Sequence, residues 1–314
     1  MKRLHFLVNS RAGRGRATKA WHALEAYLQS LPSMRAGEVH TSTNNSVPAD
    51  DSSSAVVYTV SDATDITFDY GRLTPDTVLV AVGGDGSVHH AAAQAVRHNL
   101  LLGIIPAGTG NDYATMLGLP EDPIAALRLV LDGSVRLLDV IWVDKELLIN
   151  AGGFGLDASV VHYIEKHPWL KRLGSLGYSI SLPVVLGRYQ PYSVTIQAHA
   201  QSRHYEQVSL LAITNGPSFG GGMRVVPGAN ATDGQLEVCV VSKLSKLSLL
   251  ALFPRIFRGT HITHPSVHIH RGDAFAITMQ RLDHHGELDG EPIEVANEVT
   301  IRMQAAGLRV LAGE

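Results

Sequence analysis

Apolar residues follow two different rhythms along this chain. Up to Gly133, short continuous apolar runs alternate with stretches of helical spacing. Leu4 to Val8 is such a run, as expected of a strand buried on both faces. Ala20, Trp21, Leu24, Tyr27, Leu28 and Leu31 then recur at helical intervals until Pro32 closes the pattern. Glu38 to Thr41 reads as a weak second strand. The Ser- and Asp-rich stretch 42–76, with one apolar patch at Ala55 to Val60, reads as irregular or as an inserted hairpin. Thr77 to Val82 is the strongest strand pattern and runs straight into a glycine turn. Val88 to Asn99 reads as helix, Leu101 to Ile105 as strand, and Pro123 to Leu131 as a helix stopped by Asp132-Gly133. Strand, loop and helix in repetition predict a doubly wound parallel sheet with helices on its faces.

From about residue 135 the strand-like runs follow one another directly, at 137–143, 147–151, 192–199, 207–214, 235–241, 265–270, 274–279, 293–295 and 298–303. Only two helical stretches, near 155–187 and 245–258, interrupt them. That texture predicts an antiparallel β-sandwich. The fold class expected is α/β plus β: a parallel-sheet domain over 1–134, which the segment 297–314 can rejoin, and a sandwich domain over 135–296.

Composition narrows the function classes. At 314 residues each domain can hold a real core. The formal net charge of −3 gives no global positive field, so nucleic acid is not an expected partner and any membrane attraction must be local. The lone Cys239 cannot form an internal disulfide, which fits a reducing compartment. The apolar opening is too short for a signal-peptide core, and no run reaches the roughly 18 apolar residues that span a bilayer. A cytoplasmic protein is expected, peripheral at most on the inner membrane face.

Chemistry concentrates in three loops at predicted strand ends: 9–16, 83–87 and 106–112. Each joins Gly to Asn, Ser, Thr or Arg, residues that offer backbone amides, hydroxyls and charge to phosphate oxygens. In an open parallel sheet this is where ligands bind. No G-x-x-x-x-G-K-[ST] occurs, so the loops are not a P-loop. Gly13-Arg14-Gly15-Arg16-Ala17-Thr18 lacks the third glycine of a dinucleotide fingerprint, and the expected second strand ends in Thr41 rather than a carboxylate. The sixteen histidines show no zinc spacing.

Asn9-Ser10-Arg11-Ala12-Gly13, Gly83-Gly84-Asp85-Gly86-Ser87 and Pro106-Ala107-Gly108-Thr109-Gly110-Asn111-Asp112 together resemble the diacylglycerol kinase catalytic family, in particular its bacterial soluble lipid kinases. The resemblance extends to Asn150-Ala151-Gly152-Gly153-Phe154-Gly155, Asp233-Gly234-Gln235-Leu236-Glu237-Val238 and Leu288-Asp289-Gly290-Glu291, so it covers nearly the whole chain. It implies an ATP- and Mg²⁺-dependent kinase acting on a lipid hydroxyl, with the nucleotide between two domains. Asn9, Ser10, Arg11, Ala12, Gly13, Thr41, Gly84, Asp85, Gly86, Ser87 and Thr109 would line the ATP site, with Asp85 acting through Mg²⁺. Asp289 or Glu291 would accept the proton of the acceptor hydroxyl. Asn230, Asp233 and Gln235 would hold a structural Mg²⁺.

Two departures stand at the glycine turn: Ser87 where the family usually has Thr, and His89-His90 where it usually has Asn-Glu. The second puts the family's metal arrangement in question. For lipid access, Lys166-His167-Pro168-Trp169-Leu170-Lys171-Arg172 mixes positive charge with an interfacial aromatic residue, whereas Lys243 to Arg258 reads better as a core-packed helix. Two competing readings remain: a small-molecule kinase of the NAD kinase type, and a nucleotide- or lipid-binding relative without catalysis. The acceptor lipid and a homodimeric state are left open.

Overall fold

The computed structural model describes residues 2–10, 12–31, 34–36, 56–65, 67–171, 173, 175–199, 201–280 and 285–313. The chain divides into two compact units, one of residues 1–138 and 307–314, the other of 139–306.

In the first unit, five strands form a parallel sheet: β1 (Lys2–Val8), β2 (Met34–Ala36), β3 (Val56–Asp62), β4 (Thr77–Gly83) and β5 (Leu101–Pro106). Their order is β2-β3-β1-β4-β5. From β1 the chain goes to the edge at β2, returns to β3 beside β1, then crosses to build outward through β4 and β5. The strand order thus reverses at β1/β4, the place where open α/β sheets bind ligands. Every residue of β4 is buried, which explains its unbroken apolar run. Helices α1 (Arg16–Ser30) and α4 (Pro123–Asp132) share one core with the sheet through Leu24, Leu28, Leu127 and Val130. Helix α2 (Asp85–His98) packs against β4 and β5, and a short helix α3 (Asp112–Met116) follows β5.

Two expectations need correction here. The patch at 55–60 is no hairpin: β3 runs parallel to both β1 and β2, inside the sheet. Helix α2 begins at Asp85 rather than Val88, because extended Gly84 is already its N-cap. The strand expected at 38–41 lies outside the described residues, as does 42–55.

The second unit is antiparallel. After β6 (Ser134–Val143), which enters it from the first unit, come β7 (Glu146–Leu148), β8 (Ala151–Gly155), and helices α5 (Leu156–Glu165), α6 (Pro168–Lys171) and α7 (Ser175–Arg188). Then follow β9 (Tyr192–Ala198), β10 (Gln201–Thr214), β11 (Leu236–Ser242), α8 (Lys246–Ile256), β12 (Val267–Gly272), β13 (Ala274–Gln280), β14 (His285–Leu288), β15 (Glu291–Glu294) and β16 (Glu298–Ala312). Strand β10 serves both layers of the sandwich. Its first half pairs with β9, its second half with β8 and β11, and the register shifts between Tyr205 and Val208, where Gln207 has φ +52°. Phe154, Ile196, Val238, Ile277 and Ile301 fill the core. Strand β14 was not expected from the sequence, and β16 is longer than the run at 298–303.

Candidate active site

In the first unit the three glycine loops meet at the carboxyl ends of β1, β4 and β5. The Asn9 amide donates to Val82 O, and the Ala107 amide donates to Gly83 O. Asn9 Nδ2 donates to Ser87 Oγ at 3.0 Å. Glycine is required where the loops touch. A Cβ on Gly108 would sit 2.4 Å from Gly84 Cα, and one on Gly13 (φ +59°) would sit 2.3 Å from Ala107 O. Arg16 Nη1 donates to Gly108 O at 3.1 Å and ties α1 to this junction.

Asp85 opens α2 and accepts from the Tyr113 amide at 3.3 Å. Its Oδ2 lies 2.9 Å, and Asp112 Oδ2 3.7 Å, from the point where a Cβ of Gly110 would stand. Two carboxylates therefore flank a space that glycine leaves open. Gly86 and buried Ser87 lie in the first turn of α2, whose N-terminal amides and dipole favour an anion. Thr109 is exposed in the loop after β5, Ala12 lies in the short helical turn Ala12–Gly15, and Ser10 Oγ donates to Asp62 Oδ2. Arg11 and Thr41 fall outside the described residues. Beside Ser10 an opening of about 710 Å³ is lined by Thr18, Trp21 and Asp62. Asp62 ends β3, so a carboxylate does stand at a strand end here, although not on the strand first expected to supply it.

His90 is not at this junction. Its Nε2 meets the Tyr70 hydroxyl at 3.0 Å, and Tyr70 packs on Phe68 and His98. Burial, the His89 charge and Arg97 hold its pKa below the usual histidine range. The His-for-Glu departure therefore serves packing on that side of α2.

In the second unit Asp289 and Gly290 form a two-residue hairpin turn between β14 and β15, both with positive φ (+51° and +83°). The Asp289 carboxylate accepts from the amides of Ile149, Asn150 and Ala151, at 2.9, 2.8 and 3.2 Å. It is thus fixed on the segment before β8, whereas Glu291 is exposed. The sequence reading missed two carboxyl groups nearby. Glu287 stands opposite Gly153 in the β8–β14 ladder, and a Cβ on Gly153 would fall 2.7 Å from Asp157 Oδ2. The missing side chain of Gly153 makes room for both. Among the described residues neither oxygen of Asp157, nor Oε1 of Glu287, has a side-chain hydrogen-bond partner, while Glu287 Oε2 accepts from the Gly290 amide at 2.9 Å. Burial raises the pKa of Asp157 to about 7, with the amides of residues 157 and 158 pulling the other way. Burial, and next the charge of Asp157, push Glu287 well above the carboxylate range.

Asp157 also lines a narrow apolar slot, with Leu182, Leu186, Leu252, Phe253 and Cys239 among its walls.

Asn230, Asp233 and Gln235, expected to hold a metal, lie together in the loop before β11, where their polar atoms meet near neighbours. Asn230 Oδ1 accepts from Thr232, Asp233 Oδ1 accepts from the Gln235 amide, and the Gln235 side chain turns to Gly234 O. Asp233 Oδ2 pairs with the Arg271 guanidinium. Asp139 pins the loop from outside: its carboxylate accepts from the amides of Gly234 and Ala306 at 2.7 and 2.8 Å.

Comparison with known proteins agrees with this architecture. Residues 3–143 match the diacylglycerol kinase catalytic domain, and residues 151–312 match the YegS C-terminal NAD kinase beta sandwich-like domain. The chain is 33% identical over 193 residues to a diacylglycerol kinase of Mycobacterium tuberculosis (strain CDC 1551 / Oshkosh), a match covering 60% of this chain and 62% of that relative. It is 30% identical over 250 residues to a "probable lipid kinase YegS-like" of Xanthomonas euvesicatoria pv. vesicatoria (strain 85-10), covering 75% and 79%. A crystal structure of a diacylglycerol kinase from Bacillus anthracis str. Sterne shares the fold, with TM-score 0.64 at 17% identity over 99% of this chain and 97% of that one. The chain belongs to the family of diacylglycerol kinases and YegS-like lipid kinases.

Proposed function

We propose that this protein is an ATP- and Mg²⁺-dependent lipid kinase that transfers the γ-phosphoryl group to the hydroxyl of a diacylglycerol-like or phosphatidylglycerol-like acceptor. What supports the lipid acceptor above all is the apolar slot of the second unit, whose one buried acidic group, Asp157, is held protonated up to about pH 7. A water-soluble acceptor of the NAD kinase type has no use for such walls.

Phosphoryl transfer asks mainly for positioning and charge neutralisation. The amides at Gly84 and Gly86 and the Ser87 hydroxyl, with Asn9 and Thr109 beside them, hold the phosphates. The opening at Ser10, Thr18, Trp21 and Asp62 takes the nucleoside. Asp85 and Asp112 would hold a small hard cation beside the space that Gly110 leaves open. When bound, Mg²⁺ neutralises charge on the transferring group. The turn Asp289-Gly290-Glu291 accepts the acceptor's proton, and its two carboxylates differ: Asp289 is anchored by three amides, Glu291 is exposed.

The test is transfer from γ-labelled ATP to a panel of extracted lipids, comparing wild type with Asp85→Asn, Asp289→Asn and Glu291→Gln. A labelled lipid with wild type, and its loss with Asp85→Asn and one of the other two, is expected. Labelling of NAD but of no lipid, or tight ATP binding without turnover on any acceptor, overturns the reading.

A further inference from the structure

Both residues of the Asp289-Gly290 turn are tied down, but by different groups. The Asp289 carboxylate grips the amides of residues 149–151, and the Asp289 amide donates to Ala151 O at 2.9 Å. Those bonds hold Asp289 only. Gly290 has φ +83° and open space where a Cβ would stand, so no packing fixes it from that side. Its amide donates to Glu287 Oε2 at 2.9 Å, and that bond fixes the peptide plane one residue before Glu291. Glu287 itself is 1% exposed.

A carboxyl group buried that far needs a reason. Glu287 stands opposite Gly153 in the β8–β14 ladder, so its side chain leaves the sheet on the face where Gly153 has none. Asp157 Oδ2 lies 2.7 Å from the place of a Gly153 Cβ, so the two carboxyl groups share one space. The titratable groups around it come from several elements. Helix α5 brings Asp157 and His162, whose Nε2 donates to Gly286 O; α7 brings Tyr178, β11 brings Cys239, and the turn brings Asp289 and Glu291. Burial, and next the charges of Asp157 and Glu287, push Tyr178 well above the phenol range, so it stays a neutral donor. Among the described residues no lysine or arginine acts on either acid. Two carboxyl groups that close, without a cation, do not both ionise; the pair keeps a proton.

We infer that Glu287 is a positioning residue for the turn Asp289-Gly290-Glu291, and that Asp157 joins it in a proton-sharing acid pair that keeps Glu287 in bonding place beneath Gly290. Neither acid touches the transferred group. While a proton is shared, Glu287 holds Gly290; when both ionise, like charge drives the side chains apart and breaks that bond. Asp157 also lines the slot, so an acceptor chain that displaces water there favours the protonated pair. Slot and turn are thereby linked through one proton. This role rests on the lipid-kinase reading, in which the turn takes the hydroxyl's proton and the slot takes the chain.

The test uses the full chain in steady-state transfer from ATP to short-chain diacylglycerol or phosphatidylglycerol in micelles, from about pH 6 to about pH 9. Glu287→Leu should cut kcat about 100-fold and leave the KM for ATP within about threefold of wild type. Glu287→Gln keeps an acceptor oxygen for the Gly290 amide and should recover most of that loss. Wild type should lose kcat at alkaline pH, where the pair gives up its proton, and both Glu287→Gln and Asp157→Asn should lack this limb. In wild type the limb should lie at higher pH in kcat than in kcat/KM, because the bound chain keeps water from Asp157. An apolar side chain in place of a buried acid is well tolerated by a core, and an unchanged melting temperature checks that Glu287→Leu folds. If it does not fold, the alkaline limb of the Gln variant decides. Wild-type kcat in Glu287→Leu, or one alkaline limb shared by all variants, overturns the inference. Hydrogen exchange at the Gly290 amide reads the same bond with no lipid present. Its protection should fall about tenfold in Glu287→Leu and persist in Glu287→Gln. Equal protection in all three proteins refutes the positioning role alone. Protection that falls as expected, in a protein that phosphorylates no lipid, refutes the kinase reading alone.

Discussion

Replacing Asp157 by Asn removes a charge that the fold buries away from water. In the unfolded chain this carboxyl ionises near 3.8, and in the folded protein near 7. Between those values the unfolded state has given up a proton that the folded state keeps. Unfolding free energy must then fall with rising pH, by about 1.4 kcal/mol per unit, to a total of about 4 kcal/mol. The contribution is fully present below about pH 3.8 and is lost as pH rises through about 7. Asn keeps the shape without the charge, at a cost of about 1–3 kcal/mol for burying an amide short of partners. Asp157→Asn should therefore be no better than wild type near pH 5 and clearly more stable near pH 8. Losing the Asp157 charge also lets Glu287 fall back toward the carboxylate range, which flattens the profile further. Urea unfolding of both proteins across this window measures the difference. If the gap between them is the same at both ends, or if wild type gains stability as pH rises there, the buried-pair argument is wrong.

Two further outcomes follow from the first unit. Gly108→Ala places a Cβ 2.4 Å from Gly84 Cα and must force the two glycine loops apart, so kcat/KM should drop about 100-fold, whereas Gly228→Ala, with nothing within 4 Å, should leave steady-state kinetics unchanged. His90→Phe should lower stability by about 1 kcal/mol through the lost Tyr70 contact and leave the Mg²⁺ dependence of activity untouched. A shifted Mg²⁺ titration in that variant would bring His90 back to the metal.

What was legible in the sequence was local. The buried run Thr77 to Val82 next to Gly83-Gly84 showed both a central strand and the loop it carries, because strand burial and turn chemistry are written in adjacent residues. The alternating second half likewise showed an antiparallel sandwich. What escaped was pairing at a distance. Asp157 and Glu287 are single carboxyl residues 130 positions apart, and only the register that sets Glu287 against Gly153 makes them neighbours. The anchor of the Asp233-Gly234 turn, Asp139, was equally out of reach, since it lies far back on β6. Asp112 was visible in its motif, but its position beside Asp85 depends on how the loop after β5 folds back over Gly110. Strand β3 hid behind a polar stretch, since a strand's direction is decided by its neighbours rather than by its own residues.

The first unit is discontinuous, closed by residues 307–314. Arg309 and Val310 pair with Leu101 and Leu102 along β5, the Arg309 guanidinium bonds Asn99 O, and Ser134 Oγ reaches Ala312 O. During synthesis, then, β5 leaves the ribosome with a bare edge that stays bare while the whole second unit is made. An unpaired strand edge is an invitation to other chains. The nascent protein has to wait with its nucleotide-type sheet unfinished, and dependence on chaperones should fall on that interval.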